Sequence, residues 1–168
     1  RLSELPSNQG GVYLPLKHLT LPGIDALGHG NPAAGGLVNM DSPWFSPRAA
    51  RTVSTIHADG RVLCESGGGS GWEATPASLK AQLDWLFASG VTFINPHQSL
   101  LSVKGLRKRD FPPSNFVQEP WWDLYKIHSD YIARMSKLMS EGEPIIDLAL
   151  LFPMNAIRAG HRGRSVSA

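Results

Sequence analysis

Three stretches of the chain end in the same way: "ARTVSTIHADG" runs into "RVLCES", "LKAQLDWLFASG" into "VTFINPH", and "IARMSKLMSEG" into "EPIIDLALLFP". Each reads as helix, glycine, strand. Gly60, Gly90 and Gly142 stand where a left-handed residue commonly closes a helix, and a strand follows one or two residues later. Ser46-Pro47 and Thr75-Pro76 mark two helix starts, each placing a capping hydroxyl before a proline suited to the first helical turn. In the middle helix, Leu79, Leu83, Leu86 and Phe87 share one face, while Lys80, Gln82 and Asp84 point elsewhere. The strands "RVLC", "VTFI" and "IIDLALLF" are nearly unbroken apolar runs, the pattern of parallel strands covered on both faces. Short helix-to-strand loops and such strands together predict an α/β fold with a parallel sheet.

Polar residues then gather at one edge of that sheet. Glu65 and Ser66 end one strand, and Asn95, His97 and Gln98 end the next. In parallel α/β folds the carboxyl edge of the strands is where active sites are built. "PGIDALGHG", Pro22 to Gly30, reads as an earlier strand with Asp25 near its end, and the stretches 28–47 and 99–120 read as long loops. The tail "RAGHRGRSVSA" has little apolar content and reads as frayed.

Composition narrows the functional classes. At 168 residues, 42% hydrophobic and 18% charged, the chain has the length and make-up of one globular domain. Its net charge of +2 is spread out apart from Lys104 to Arg109, so no nucleic-acid partner is called for. Cys64 is the only cysteine, which excludes an internal disulfide and a multi-cysteine metal cluster and leaves the compartment open. No apolar run approaches the ~20 residues of a membrane span. The chain begins with Arg1, so it is expected to be a processed or partial piece of a longer one.

Four glycines follow Glu65 in "ESGGGSGW", yet no nucleotide-binding loop results. G-x-G-x-x-G would need a glycine where Trp72 stands, and there is no P-loop or nucleophile elbow. The glycines instead allow tight turns beside a pocket. Position alone leaves two readings of Glu65: an edge carboxylate that caps the next loop or pairs with an arginine, and a catalytic carboxylate held rigidly by a strand end. His97 has no second histidine or cysteine at ligand spacing, so it is assigned to hydrogen bonding and neither metal nor cofactor is expected. Trp72, Trp121 and Trp122 suit either core packing or stacking on a sugar ring. "KGLRKRD", with Arg107, Arg109 and Asp110, reads as a loop that clamps a substrate or its neighbouring carboxylates.

The combination "ESxGxxGW", "GVxFxxPH", "KGxRKRDxPPS" and "PWW" resembles the C-terminal part of the catalytic barrel in a large group of bacterial glycoside hydrolases, α-L-rhamnosidase-like proteins and relatives of the β-galactosidase superfamily. The likeness spans about residues 23–153. It implies parallel β/α units resembling the last three strands and helices of a (β/α)8 barrel, incomplete on their own. "GIDALG" would be strand six, "RVLCES" strand seven and "VTFINPH" strand eight. Residues 1–22 would form an N-terminal extension, 23–143 the partial barrel, and 144–168 the start of a following domain or tail, with "PIIDLALLFP" as its first strand.

By the same resemblance Glu65 occupies the position of the catalytic glutamate at the end of strand seven, in an enzyme acting on O-glycosyl bonds of a carbohydrate substrate. Asn95, His97 and Gln98 would bind sugar hydroxyls, Trp72 and Trp121 would stack, and Arg107, Arg109 and Asp110 would shape the rim. The second carboxyl group such chemistry needs comes from strand four in that superfamily. Here Asp25, Asp41, Glu73, Asp110 and Glu119 are the candidates to replace it. Three strands leave two open edges, so the chain is expected to be a homo-oligomer or part of a longer chain. The alternative expectation is a catalytically silent barrel fragment that self-associates and retains carbohydrate affinity.

Overall fold

Two helix-to-strand crossovers build the sheet. The computed structural model describes residues 13–26, 46–151 and 159. In order they form α1 (Tyr13–Leu16), β1 (Gly23–Ala26), α2 (Ser46–His57), β2 (Leu63–Ser66), α3 (Pro76–Ala88), β3 (Phe93–Pro96) and α4 (Tyr125–Glu141). Two 3-10 turns, Gly105–Arg109 and Trp122–Leu124, lie between β3 and α4. The strands pair in parallel in the order β1-β2-β3, which is the expected α/β arrangement. "GIDA" is the first strand, with Asp25 as its penultimate residue.

Local sequence explains where the helices start and stop. The Ser78 amide donates to Thr75 Oγ1 at 3.1 Å and the Thr75 amide donates to Ser78 Oγ at 3.0 Å, a reciprocal cap followed by Pro76 at the first helical position. Helix α2 opens at Ser46-Pro47. Gly60 and Gly90 end α2 and α3 with φ of +80° and +100°. One side chain serves both turns: Arg51 donates to the Gly60 carbonyl, and its Cγ lies 2.8 Å from where a Cβ at Gly90 would stand. Gly142 departs from expectation. Its φ is −81° with ψ 145°, an extended conformation open to any residue, and the chain leaves α4 without a left-handed turn.

The core lies between the sheet and the helices. Ile24, Ala26, Cys64 and Ile94 point from the strands toward Ala50 and Val53 of α2 and Leu83, Leu86 and Phe87 of α3. Leu16 of α1, within the stretch assigned to an N-terminal extension, packs into the same core. Helix α4 buries no side chain fully but lays Tyr131, Ile132, Met135 and Met139 against it. Gln82, expected to point away, is 2% exposed and donates to the Ala26 carbonyl at 3.2 Å, satisfying a backbone acceptor at the end of β1.

Two expectations about the strands are corrected. Their burial alternates, so among the described residues the helices cover one face only, and on the other face Phe93 is 51% exposed. With four residues per strand, two side chains point each way, and an apolar run cannot reveal whether the second face is covered. Nor is "IIDLALLF" a strand within the described residues: 143–151 carry no ladder, and Ile145 and Leu151 are 91% and 90% exposed. A strand exists only by pairing, and no described edge reaches this one. Residues 28–45 of the 28–47 stretch, and the tail apart from residue 159, fall outside the described residues.

Removing the α3 cap gives a direct check on this local logic. Thr75→Ala is expected to cost about 1 kcal/mol, lowering the melting temperature by roughly 2–4 °C in a circular-dichroism melt.

Candidate active site

Parallel register fixes a row of polar side chains. Asp25 pairs with Glu65, and Glu65 with Asn95. Residues in parallel register face the same side of a sheet, and neighbouring strands stand ~4.8 Å apart. The row therefore lies on the face away from the helices, one residue short of the carboxyl ends, with Leu63 and Phe93 beneath it. Asp25 and Glu65 are partly buried and Asn95 is exposed.

Glu65 lacks the partners that a purely structural carboxylate would have. Among the described residues, no hydrogen bond or ion pair holds its carboxylate. The following loop satisfies its amides elsewhere: Gly69 donates to the Phe111 carbonyl at 3.2 Å, Ser70 to Gly67 at 3.2 Å and Gly71 to Pro112 at 3.0 Å. The nearest arginine in sequence, Arg61, is paired with Asp59 at 2.6 Å.

Asp25 has one carboxyl oxygen, Oδ1, fully buried and without a hydrogen-bond partner among the described residues. Burial raises its pKa, the neighbouring charge of Glu65 raises it further, and His97 opposes both. Cys64, pointing to the opposite face, has its thiol pKa pushed far up by burial, which removes it as a nucleophile.

The loops after β2 and β3 are zipped together above this row. Beyond the two amide bonds from Gly69 and Gly71, Trp72 Nε1 donates to the Lys108 carbonyl at 2.7 Å. Gly69 and Gly71 adopt φ of +76° and +84°, which lets their amides turn toward the neighbouring loop where a Cβ would be strained. Trp72, 37% exposed as a residue, thereby carries the 3-10 turn with Arg107 and Arg109 alongside the glycine loop. Arg107, Arg109 and Asp110 are all exposed at that rim.

His97 is tied down by its backbone. Its amide donates to the Ser66 carbonyl at 2.8 Å, its carbonyl accepts from Asn115 Nδ2 at 3.0 Å, and its ring meets Phe111 edge-on at 6.1 Å. Its Nδ1 is buried and unpartnered. Gln98 is exposed, with its carbonyl accepting from the Asn115 amide at 2.9 Å.

Trp121 is placed elsewhere. It stacks on Tyr125 at 6.0 Å and lines a groove of about 420 Å³ between α3 and α4, with Pro76, Lys80, His128 and Tyr131; no member of the Asp25–Glu65–Asn95 row borders that groove. Trp122 packs against Phe116 and Tyr125. Of the other carboxylates, Glu73 is exposed beside Gly71, Asp41 lies outside the described residues, and Glu119 is 4% exposed within its own loop. Burial raises the Glu119 pKa, and a hydrogen bond from the Ser114 backbone opposes this. Sequence reasoning missed the network that stiffens this loop. Ser114 Oγ accepts from the Leu100 amide and donates to Gln118, and Gln118 donates to the Leu100 carbonyl. Such pairs, 14 and 18 residues apart, leave no periodic signal.

Among the described residues, no three His, Cys, Asp or Glu side chains gather to hold a metal ion, and no helix is long and apolar enough to cross a membrane. No family model, no curated protein and no solved structure matches the chain.

The Asp25 environment has a stability consequence. A carboxyl group whose folded pKa is raised holds its proton more tightly in the folded state, so stability falls as pH rises from the unfolded value of ~3.9 through the folded one. Asp25→Asn removes that loss. The variant is expected to melt above the parent at pH 7, with the gap closing toward pH 3, as read by thermal melts across pH.

Proposed function

We propose that the chain carries part of a glycoside hydrolase site, with Glu65 as a catalytic carboxylate and the sheet as the last three strands of a (β/α)8 barrel. One observation carries the proposal: Glu65 stands in register between Asp25 and Asn95 on the uncovered face, with no cation or loop amide among the described residues using it. A carboxylate left unengaged on a rigid strand can act on a reacting centre. The uncovered face then corresponds to the barrel interior, where side chains from further strands would pack over Leu63 and Phe93.

In this reading Asn95 supplies a sugar-hydroxyl partner beside the catalytic group. His97 and Gln98 extend the polar edge, and the exposed ring of Trp72 offers a stacking surface. Arg107, Arg109 and Asp110 form the rim that the Trp72 bond holds in place. Trp121, on the groove between α3 and α4, is not assigned to the same sugar.

Glu65→Gln keeps the size of the side chain and removes its charge. It is expected to lower hydrolysis of aryl glycosides by at least ~10²-fold while leaving the circular-dichroism spectrum unchanged. A variant as fast as the parent would remove Glu65 from catalysis.

The exposed Phe93 and the outer edges of β1 and β3, unpaired among the described residues, favour a second reading alongside the first. The chain alone would be catalytically silent and would associate with copies of itself to cover this face. Light scattering at micromolar concentration is expected to give a mass above the 18.2 kDa of one chain. A folded monomer would overturn the association.

A further inference from the structure

We propose that the loop after β3 fits this site to an acidic polysaccharide, with Lys104, Arg107, Lys108 and Arg109 holding the carboxylates of sugars that flank the one at Glu65. This rests on the carbohydrate reading of the site given above and adds the charge of its ligand.

These four side chains stand apart from other cations of the chain in having no counter-charge. Arg61 is paired with Asp59 at 2.6 Å, Lys80 with Asp84 at 2.7 Å, Lys126 with Asp130 at 2.6 Å and Lys137 with Glu141 at 3.8 Å. The 3-10 turn Gly105–Arg109 and the lysine before it gather four cations within six residues, all of them exposed. Among the described residues no ion pair or side-chain hydrogen bond engages any of the four, and Asp110 beside them is equally unengaged. Like charges this close repel one another, and a polyanion laid across them relieves that repulsion.

The backbone that carries them is fixed in place. The Asp110 and Phe111 amides donate to the Arg107 and Arg109 carbonyls at 3.1 and 3.0 Å, so this part of the loop is wound on itself. Trp72 Nε1 and the Gly69 and Gly71 amides then fasten it to the glycine loop after β2. Phe111, at φ +49°, is held in the left-handed region that bulky residues avoid, and its ring meets His97 edge-on at 6.1 Å. Backbone kept against its own preference beside a polar site is a constraint imposed by its surroundings. Cations that only keep a loop solvated need no such bonds; these are carried on a backbone that returns directly to the polar edge at His97.

The donors specify the ligand class. Arg107 and Arg109 present planar guanidinium forks that match a carboxylate with two bonds at once, and Lys104 and Lys108 add point charge. A polymer of sugar acids supplies carboxylates repeatedly along its length, together with hydroxyls suited to Asn95 and Gln98. Nucleic acid fits less well, because no aromatic ring alternates with the cations to stack on bases. Leu106 is the single apolar side chain among residues 104–109, too little to seat the turn in a lipid surface.

Isothermal titration calorimetry on the full chain tests this with an oligoglucuronate and with its methyl ester, which keeps the sugar and removes the charge. At about 20 mM salt, where the screening length is ~20 Å, the parent is expected to bind the acid at least ~10-fold more tightly than the ester, the sum of several modest exposed contacts. At about 300 mM salt, with a screening length of ~6 Å, that preference should shrink. Arg107→Gln, Lys108→Gln and Arg109→Gln together should abolish it. The charge-matched set Lys126→Gln, Arg134→Gln and Lys137→Gln on α4 should keep it. Equal affinity of the parent for acid and ester, which requires no variant to fold, would overturn the proposal, as would a preference lost as fully in the α4 set. Tighter binding of a single-stranded oligonucleotide or of phosphatidylserine vesicles, lost in the loop variant, would overturn it in favour of that polyanion. Binding is read without turnover, so the two readings can fail separately. Selective binding by a chain that hydrolyses no glycoside would keep the acidic ligand and remove the catalytic assignment of Glu65, and hydrolysis with no preference for acid over ester would do the reverse.

Discussion

The site depends on parallel pairing at one level of the sheet. Because side chains alternate along a strand and strands pair in register, placing Cys64 and Ile94 in the core forces Glu65 and Asn95 to the other side. The same register brings Asp25 abreast of Glu65. A slip of one residue in either pairing would bury a carboxylate and expose a core side chain, so the hydrophobic packing of one face holds the polar row of the other. The helical layer contributes most by fixing that choice.

Charge placement follows from the same constraint. Two carboxyl groups on adjacent strands repel when both are ionised, and only one of them, Asp25, has an oxygen removed from solvent. Such an arrangement opposes folding at neutral pH and persists because the packed face over-determines it. Locally unfavourable placements of this kind are expected where a protein trades stability for chemistry.

Much of the fold was legible because its signals are local. The Thr75-Pro76 start, the glycine turns at Gly60 and Gly90, and the strand around Asp25 each rest on residues close together in the chain. What failed to show was whatever depends on distant partners. The apolar run at 145–151 has strand composition but no paired edge, and Phe93 reads as core although it is half exposed. Gln82 reads as polar surface, yet it is buried because the Ala26 carbonyl needs a donor. The placement of Glu65, Asn95 and His97 at or just past strand ends was legible from the chain. The position of Trp121 was not, because α4 turns that ring toward Tyr125 and the flank of α3. Neither the level match of Asp25 with Glu65 nor the bonds joining the two loops could be read from spacing.

Arg51 occupies the opposite end of the molecule from this polar row, where it links the turns that precede β2 and β3. Its guanidinium holds the Gly60 turn while its aliphatic stem packs at Gly90, so one side chain couples the starts of both strands. Resistance to heat and the relative placement of Asp25, Glu65 and Asn95 are thereby joined through one side chain distant from all three.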